Sequence, residues 1–344
     1  MQSATDIAFV YVHIGENRPQ VLTHYPALIH EYYPNSRLVL LTDYPKNWDD
    51  FPGQVIDIGT KLSSLMPLWA KVLHYDYLNT ANGYWKKTLL RLFILGDVEL
   101  AGLFGPNELV IHLESDILVM ACEATIKAIK GQITSTSIIK LSEQISIGAL
   151  IVAPNFLKLA LAMQELQKIF FSSLHWKNDM ELLHAGLNLG VVQELKPFTL
   201  SNSRVLVFDG APFGQYLFGQ DPLHLGGFSQ GGFLSPFRTV AMDKGIWRIE
   251  SCDHDLYLRH HHVCYEESGS VLQLFNLHMH SKLKITNPGP DDADWKETVD
   301  AANRLRPFPA VRHNPSLYLH AANGNIRART LRKIREVFAR QGTK

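Results

Sequence analysis

Leu109-Val110-Ile111-His112-Leu113-Glu114-Ser115-Asp116-Ile117-Leu118-Val119-Met120 decides the fold. Two apolar segments flank one acidic knot. Leu109 to Leu113 is aliphatic and β-branched, the pattern of a strand buried on both faces. Glu114 and Asp116 follow, with one small residue between them, and Ile117 to Met120 resume the apolar run. Carboxylates are costly inside such a segment unless something pairs with them. Mg²⁺ and Mn²⁺ prefer carboxylate oxygens, so a divalent cation is the natural partner. Two solvated acids at an ordinary strand end are the alternative. Strand ends are also where open α/β sheets bind ligands.

Upstream, Ile7 to Ile14 predicts a strand and Pro19 to Tyr32 a helix with Pro26 near its middle. Leu38 to Leu41 predicts a second strand ending in Thr42-Asp43. This is a βαβ unit, which implies parallel strands and brings the loops after Ile14 and Leu41 to one edge of the sheet. A nucleotide at that edge would meet Tyr11, His13 and Asp43. Val55 to Ile58 predicts a short strand, and Tyr84 to Leu95 a helix with an apolar face at Leu89, Leu92 and Phe93. Lys86 and Lys87 read as its solvated face. Arg91 stands in apolar surroundings and therefore calls for an acid or a phosphate.

Downstream, a short helix is expected between Ala121 and Lys130, a strand over Ser146 to Val152 and a long amphipathic helix over Phe156 to Phe171. Gly148 reads either as a close approach to a ligand or as a packing glycine. Asn178 or Asp179 caps the next helix. Arg204 to Phe208 predicts a strand closed by Asp209-Gly210. The glycine-rich stretch after it reads as loops near a ligand, with Asp209, Gln215 and Asp221 as polar groups for an acceptor.

A second constellation lies in Leu274-Phe275-Asn276-Leu277-His278-Met279-His280-Ser281-Lys282. On an extended chain His278, His280 and Lys282 share a face. One imidazole is expected to be the third protein ligand of an ion held by Asp116, and Lys282 to balance phosphate charge. The sequence leaves His278 and His280 as alternatives. The polar cluster Asp253-His254-Asp255 with Arg259 to His262 and Cys264 has no zinc-site spacing and reads as a loop between strands.

His112-Leu113-Glu114-Ser115-Asp116 resembles the DxD motif of GT-A-fold glycosyltransferases, with Glu in the first acidic place. The helix bearing Arg91, the Ser146 to Val152 segment and the late His and Lys are similar to further elements of that family. The resemblance covers residues 7–285 and implies an α/β fold: a mixed, mostly parallel GT-A-like sheet flanked by helices. It implies transfer of a sugar from a UDP- or GDP-sugar to an acceptor hydroxyl of a glycan or lipid-linked molecule, such as in surface glycan synthesis. Mn²⁺ or Mg²⁺ would sit on Glu114, Asp116 and His278 or His280. Tyr11, His13, Asp43, Arg91 and Lys282 would hold the nucleotide-sugar, and Asp179 or Asp209 would be the general base. Two other readings stand beside it. A nucleotidyltransferase of sugar phosphates normally has a glycine-rich basic loop after the first strand, where this chain has Gly15-Glu16-Asn17-Arg18-Pro19. A non-catalytic carbohydrate-binding protein would keep the fold without the chemistry.

Lys+Arg and Asp+Glu both number 33, so the zero formal charge argues against wholesale nucleic-acid binding. Three cysteines make no disulfide framework, and a reducing compartment is the simpler expectation. No apolar run reaches the ~18–20 residues of a membrane span, and Met1 to Asp6 lacks the pattern of a secretory signal. The expected location is cytoplasmic. The expected division is a catalytic domain over 1–285 and a C-terminal helical extension over 286–344. Arg327 to Arg340 in that extension forms a basic amphipathic helix suited to an anionic membrane face or to packing on the domain.

Overall fold

The computed structural model describes residues 6–19, 21–70, 80–119, 121–140, 146–173, 178–200, 204–210, 246–250, 262–267 and 270–278. Gln215, Asp221, Asp253 to His261, His280, Lys282 and the 286–344 segment, where the sequence predicts a basic helix, lie outside them.

In chain order the elements are β1 (Ile7–His13), α1 (Val21–Tyr32), β2 (Arg37–Thr42), β3 (Gln54–Asp57), α2 (Gly59–Ala70), α3 (Thr80–Leu95), β4 (Leu109–Leu113), β5 (Ile117–Val119), α4 (Glu123–Lys130), β6 (Ser137–Lys140), β7 (Ser146–Ala153), α5 (Phe156–Ser173), α6 (Asp179–Asn188), β8 (Gln193–Glu194), β9 (Phe198–Thr199), β10 (Arg204–Val207), β11 (Ile246–Glu250), β12 (His262–Glu267), β13 (Ser270–Leu274) and β14 (Asn276–His278). The central sheet runs β3-β2-β1-β4-β7-β6-β8. It is parallel from β3 through β4 and between β6 and β8, and antiparallel on both sides of β7. This is the mixed, mostly parallel α/β sheet that the sequence predicts.

The two faces of this sheet follow from side-chain alternation. Ile7, Phe9 and Tyr11 of β1 and Leu109, Ile111 and Leu113 of β4 point into one core, with Leu22 and Ile29 of α1 and Ile126 and Ile129 of α4. Ala8, Val10 and Val110 point into the other, against α3, α5 and α6. Each such aliphatic side chain contributes roughly 1.5–3 kcal/mol on burial. The sheet is therefore sandwiched, and polar groups can reach solvent only at the strand ends.

A second sheet, β11-β12-β13-β10-β9, is antiparallel except at β10 and β13. Leu206, Phe208 and Phe275 carry it into the first core. The parallel β10–β13 pair matters for the site: it brings Asp209-Gly210 and Asn276 to His278 to the same end. A small third pairing, β5 with β14, sets Ile117 opposite His278.

Candidate active site

The acidic knot is a turn. The Ile117 N–H donates to the Glu114 carbonyl at 3.2 Å, and the Glu114 N–H donates to the Ala149 carbonyl of β7 at 2.8 Å. The turn brings both carboxylates out of the strand together, half-buried. Because β14 lies antiparallel to β5, His278 falls beside Asp116. The His278 Nε2 lies 3.4 Å from Asp116 Oδ2 and 4.0 Å from Glu114 Oε2. One ligand atom from each of Glu114, Asp116 and His278 lies within 4.8 Å of the others. Of the two histidines left open by the sequence, His278 is the one the described residues contain.

These donors fit a divalent cation: two carboxylate oxygens and one imidazole nitrogen, a set that suits Mn²⁺. The His278 Nδ1 lies 2.5 Å from the Gly210 carbonyl, to which it donates. That bond fixes the tautomer and leaves Nε2 for the carboxylates or a metal. Burial acts to lower the His278 pKa, but the Asp116 carboxylate, then Glu114 and the Gly210 carbonyl, outweigh it and raise the pKa to about 9.

Arg91 on α3 is buried, as its apolar surroundings predict, and it pairs with acids. One of its terminal nitrogens contacts Glu114 Oε1, and the other lies 3.2 Å from Asp179 Oδ2. Glu114 is thereby held by one oxygen, with the other turned toward His278. Asp179 begins α6, but Asn178 is the cap, accepting the Glu181 N–H at 2.9 Å. Asp179 is free to turn inward. Burial first, and then the Glu114 charge, push its pKa up to about 6 against the opposing pull of Arg91. Gly148, on the same face, is a packing glycine: a Cβ there would come within 2.9 Å of the Leu183 side chain.

Asp209 is fully buried, and its Oδ2 accepts the His278 N–H at 2.9 Å. Its carboxylate is a strut inside the protein, where the sequence reading has a polar group for an acceptor and the resemblance implies a general base. Tyr11 departs further from expectation. It is 1% exposed, its ring lies in the core between β2 and β4, and burial raises its pKa. The pleat is the reason: in β1 the odd-numbered residues face the inner core, and Tyr11 is still inside it.

His13 and Asp43 do reach the shared edge of β1 and β2. Asp43 Oδ1 accepts the Gly15 N–H at 2.8 Å, and His13 Nε2 donates to the Asn17 carbonyl at 2.5 Å. Burial lowers the His13 pKa. Gly15 has φ +115°, which few other residues adopt, and a Cβ there would sit 2.9 Å from Lys87 Nζ. Lys87 is exposed, as its reading as a solvated face predicts, and its ammonium lies over the β1 loop. Arg18 ties this loop down, pairing with Asp50 at 2.6 Å and lying 4.9 Å over the Trp48 ring. Sequence reading missed Asn276. A side-chain amide that locks onto a backbone far away in the chain leaves no local pattern.

No helix among the described residues is long and apolar enough to cross a membrane. No protein-family model matches the chain, and no curated protein does. Solved structures similar to it include glycosyltransferases. The PaToxG glycosyltransferase aligns with 13% identity over 54% of this chain and 70% of its own, at a TM-score of 0.34. Mouse xyloside xylosyltransferase 1, in its apo form, aligns with 10% identity over 59% of this chain and 88% of its own, at a TM-score of 0.37. The glycosyltransferase GlyE of Streptococcus pneumoniae aligns with 16% identity over 56% of this chain and 45% of its own, at a TM-score of 0.32.

Proposed function

We propose that the protein is a metal-dependent glycosyltransferase of the GT-A type, moving a sugar from a nucleoside-diphosphate-sugar to an acceptor hydroxyl. One observation carries this reading: Glu114 and Asp116 at the end of β4, and His278 on the late strand β14, offer ligand atoms within 4.8 Å of one another. Mn²⁺ or Mg²⁺ would be held by these three residues. When bound, such an ion supplies positive charge for the diphosphate leaving group.

The chain's own groups complete the arrangement. Arg91 holds Glu114 by one oxygen so that the other faces the ion site. Lys87, above the β1 loop, would add a point charge toward the diphosphate. His13 and Asp43, at the edge of β1 and β2, border the nucleoside position. Asp179 is the carboxylate we assign to the reacting sugar. Its pKa of about 6 lets it exchange a proton near neutrality, which suits a general base. Asp209, committed to a backbone N–H, is not assigned that role. Lys282 keeps the diphosphate role that the resemblance implies, and His280 stays the alternative to His278 as the one imidazole ligand. A glycan or lipid-linked acceptor, and contact of the basic C-terminal helix with a membrane, belong to the same proposal.

The test is a screen of UDP- and GDP-sugars for release of the nucleoside diphosphate, with Mn²⁺ and with EDTA. Metal-stimulated release with one donor is the expected result. Pyrophosphate release from a nucleoside triphosphate and a sugar phosphate would instead identify a nucleotidyltransferase. Absence of release and of nucleotide binding by calorimetry would identify a carbohydrate-binding protein.

A further inference from the structure

We propose that Asp209 and Asn276 are positioning residues that aim His278 at the two carboxylates, an inference that rests on the metal reading above. His278 sits on a strand of three residues, paired with another of three. A two-stranded ribbon this short is marginal and does not hold an imidazole by itself. The constraint comes from the end of β10. The Phe275 N–H donates to the Val207 carbonyl at 2.8 Å, extending the parallel ladder. The Asn276 Oδ1 then accepts the Asp209 N–H at 3.2 Å, and the Asn276 Nδ2 donates to the Asp209 carbonyl at 2.8 Å.

One side-chain amide therefore takes both backbone groups of one residue, which fixes the register between the two chain ends. The Asp209 Oδ2 returns the interaction, accepting the His278 N–H at 2.9 Å. The next carbonyl, Gly210, takes the ring Nδ1. Asp209 and Asn276 are both 0% exposed, so water does not compete for these bonds. The His278 backbone and ring are thus held from one side by Asp209-Gly210, and Nε2 is left facing Asp116. Neither Asp209 nor Asn276 belongs to the cluster of metal-ligand atoms, and both act through His278.

The experiment measures Mn²⁺ binding to the full chain from loss of the electron paramagnetic resonance signal of the free aqueous ion. Wild type, Asp209→Ala, Asp209→Asn and Asn276→Ala are compared, with His278→Ala as the reference for a lost ligand. Residues that hold a metal ligand typically cost about 10- to 100-fold in metal affinity when removed. Asn276→Ala and Asp209→Ala are each expected to weaken binding about tenfold or more. Asp209→Asn, whose Oδ1 can still accept the His278 N–H, is expected to stay within about threefold of wild type, on the same physical ground. Wild-type affinity in both alanine variants overturns the proposal, as does an Asp209→Asn variant as weak as Asp209→Ala. If wild type binds no Mn²⁺, or binds it as well without His278, the metal reading fails instead. Far-UV circular dichroism accompanies each variant. Asn276→Ser, which keeps a small polar group in the same space, replaces an alanine variant that does not fold.

Discussion

The strand β4 is bracketed by two glutamates, each gripped by an arginine from a neighbouring element, and the two ends differ in one respect. Before the strand, Glu108 gives both oxygens to the chain: Oε1 lies 3.2 Å from Arg37 Nε, and Oε2 accepts the Gly105 N–H at 2.9 Å. Its side chain is 0% exposed. Arg37 donates in addition to the Leu103 carbonyl at 2.6 Å and lies over the Phe104 ring. After the strand, Glu114 gives one oxygen to Arg91, while the other faces a second carboxylate and a histidine nitrogen. At one end the acceptors are saturated by the protein's own donors, and the pair closes the sheet. At the other end, carboxylate oxygens converge on a histidine nitrogen, and Asp179 adds another acid behind Arg91. Two carboxylates and one imidazole brought together in this way offer the oxygen and nitrogen ligands that a divalent cation takes.

Breaking each end separately tests this contrast. Asp116→Ala is expected to have the largest effect. Metal coordination contributes several kcal/mol to transition-state charge stabilisation, and each 1.36 kcal/mol is tenfold in rate. Mn²⁺-stimulated release of nucleoside diphosphate should therefore fall about 100-fold or more, with an unchanged circular dichroism spectrum. Unchanged turnover in this variant would refute the metal assignment. Glu108→Ala should do the reverse. Removing Glu108 leaves the Gly105 N–H without its acceptor and takes one partner from the partly exposed Arg37, at a cost of about 1–3 kcal/mol. Denaturant unfolding should report that loss while the Mn²⁺ affinity stays at the wild-type level. If Glu108→Ala changed the affinity and left stability alone, the distinction between the two ends would be wrong.

The Glu114 end of this contrast was legible in the sequence because it depends on local pattern, whereas the Glu108–Arg37 pair, 71 residues apart, was not. The run Leu109 to Leu113 predicts a doubly buried strand, and Glu114-Ser115-Asp116 predicts an interruption that needs a positive partner. A late imidazole was legible only as one of two, His278 or His280, of which the described residues contain His278. Arg91 was legible because a guanidinium in apolar surroundings needs an acid. Three things were not. Tyr11 reads as an edge residue by its nearness to the strand end, yet the pleat turns it into the core. Asp209 reads as a free acid after a strand, because a hydrogen bond to the distant His278 backbone has no sequence period. The partners of β6 and β8 were also hidden, since a four-residue and a two-residue strand carry too few alternations to separate from loop. Local periodicity exposes the elements, and long-range pairing decides what their ends do.

Within β4 itself, His112 gives a smaller and pH-dependent test of how the strand tolerates charge between its two ends. His112 is fully buried, donates Nδ1–H to the Val10 carbonyl at 2.9 Å, and faces the Arg91 side of the sheet. Burial first, and then the nearby Arg91 charge, lower its pKa to about 3. The unfolded chain takes up a proton near the ordinary histidine value of ~6.5, whereas the folded chain refuses it until about pH 3. Between these limits the unfolded state binds more protons, so stability is full above ~6.5 and is lost as the pH falls. From pH 7 to pH 5 the expected loss from this residue is about 2 kcal/mol. His112→Leu should remove that share of the slope, measured as the difference between wild-type and variant unfolding free energies at the two pH values. Equal slopes would mean that His112 gains a proton in the folded strand. The charge of Arg91 would then be less confined to Glu114 and Asp179 than the geometry of this end of the sheet requires.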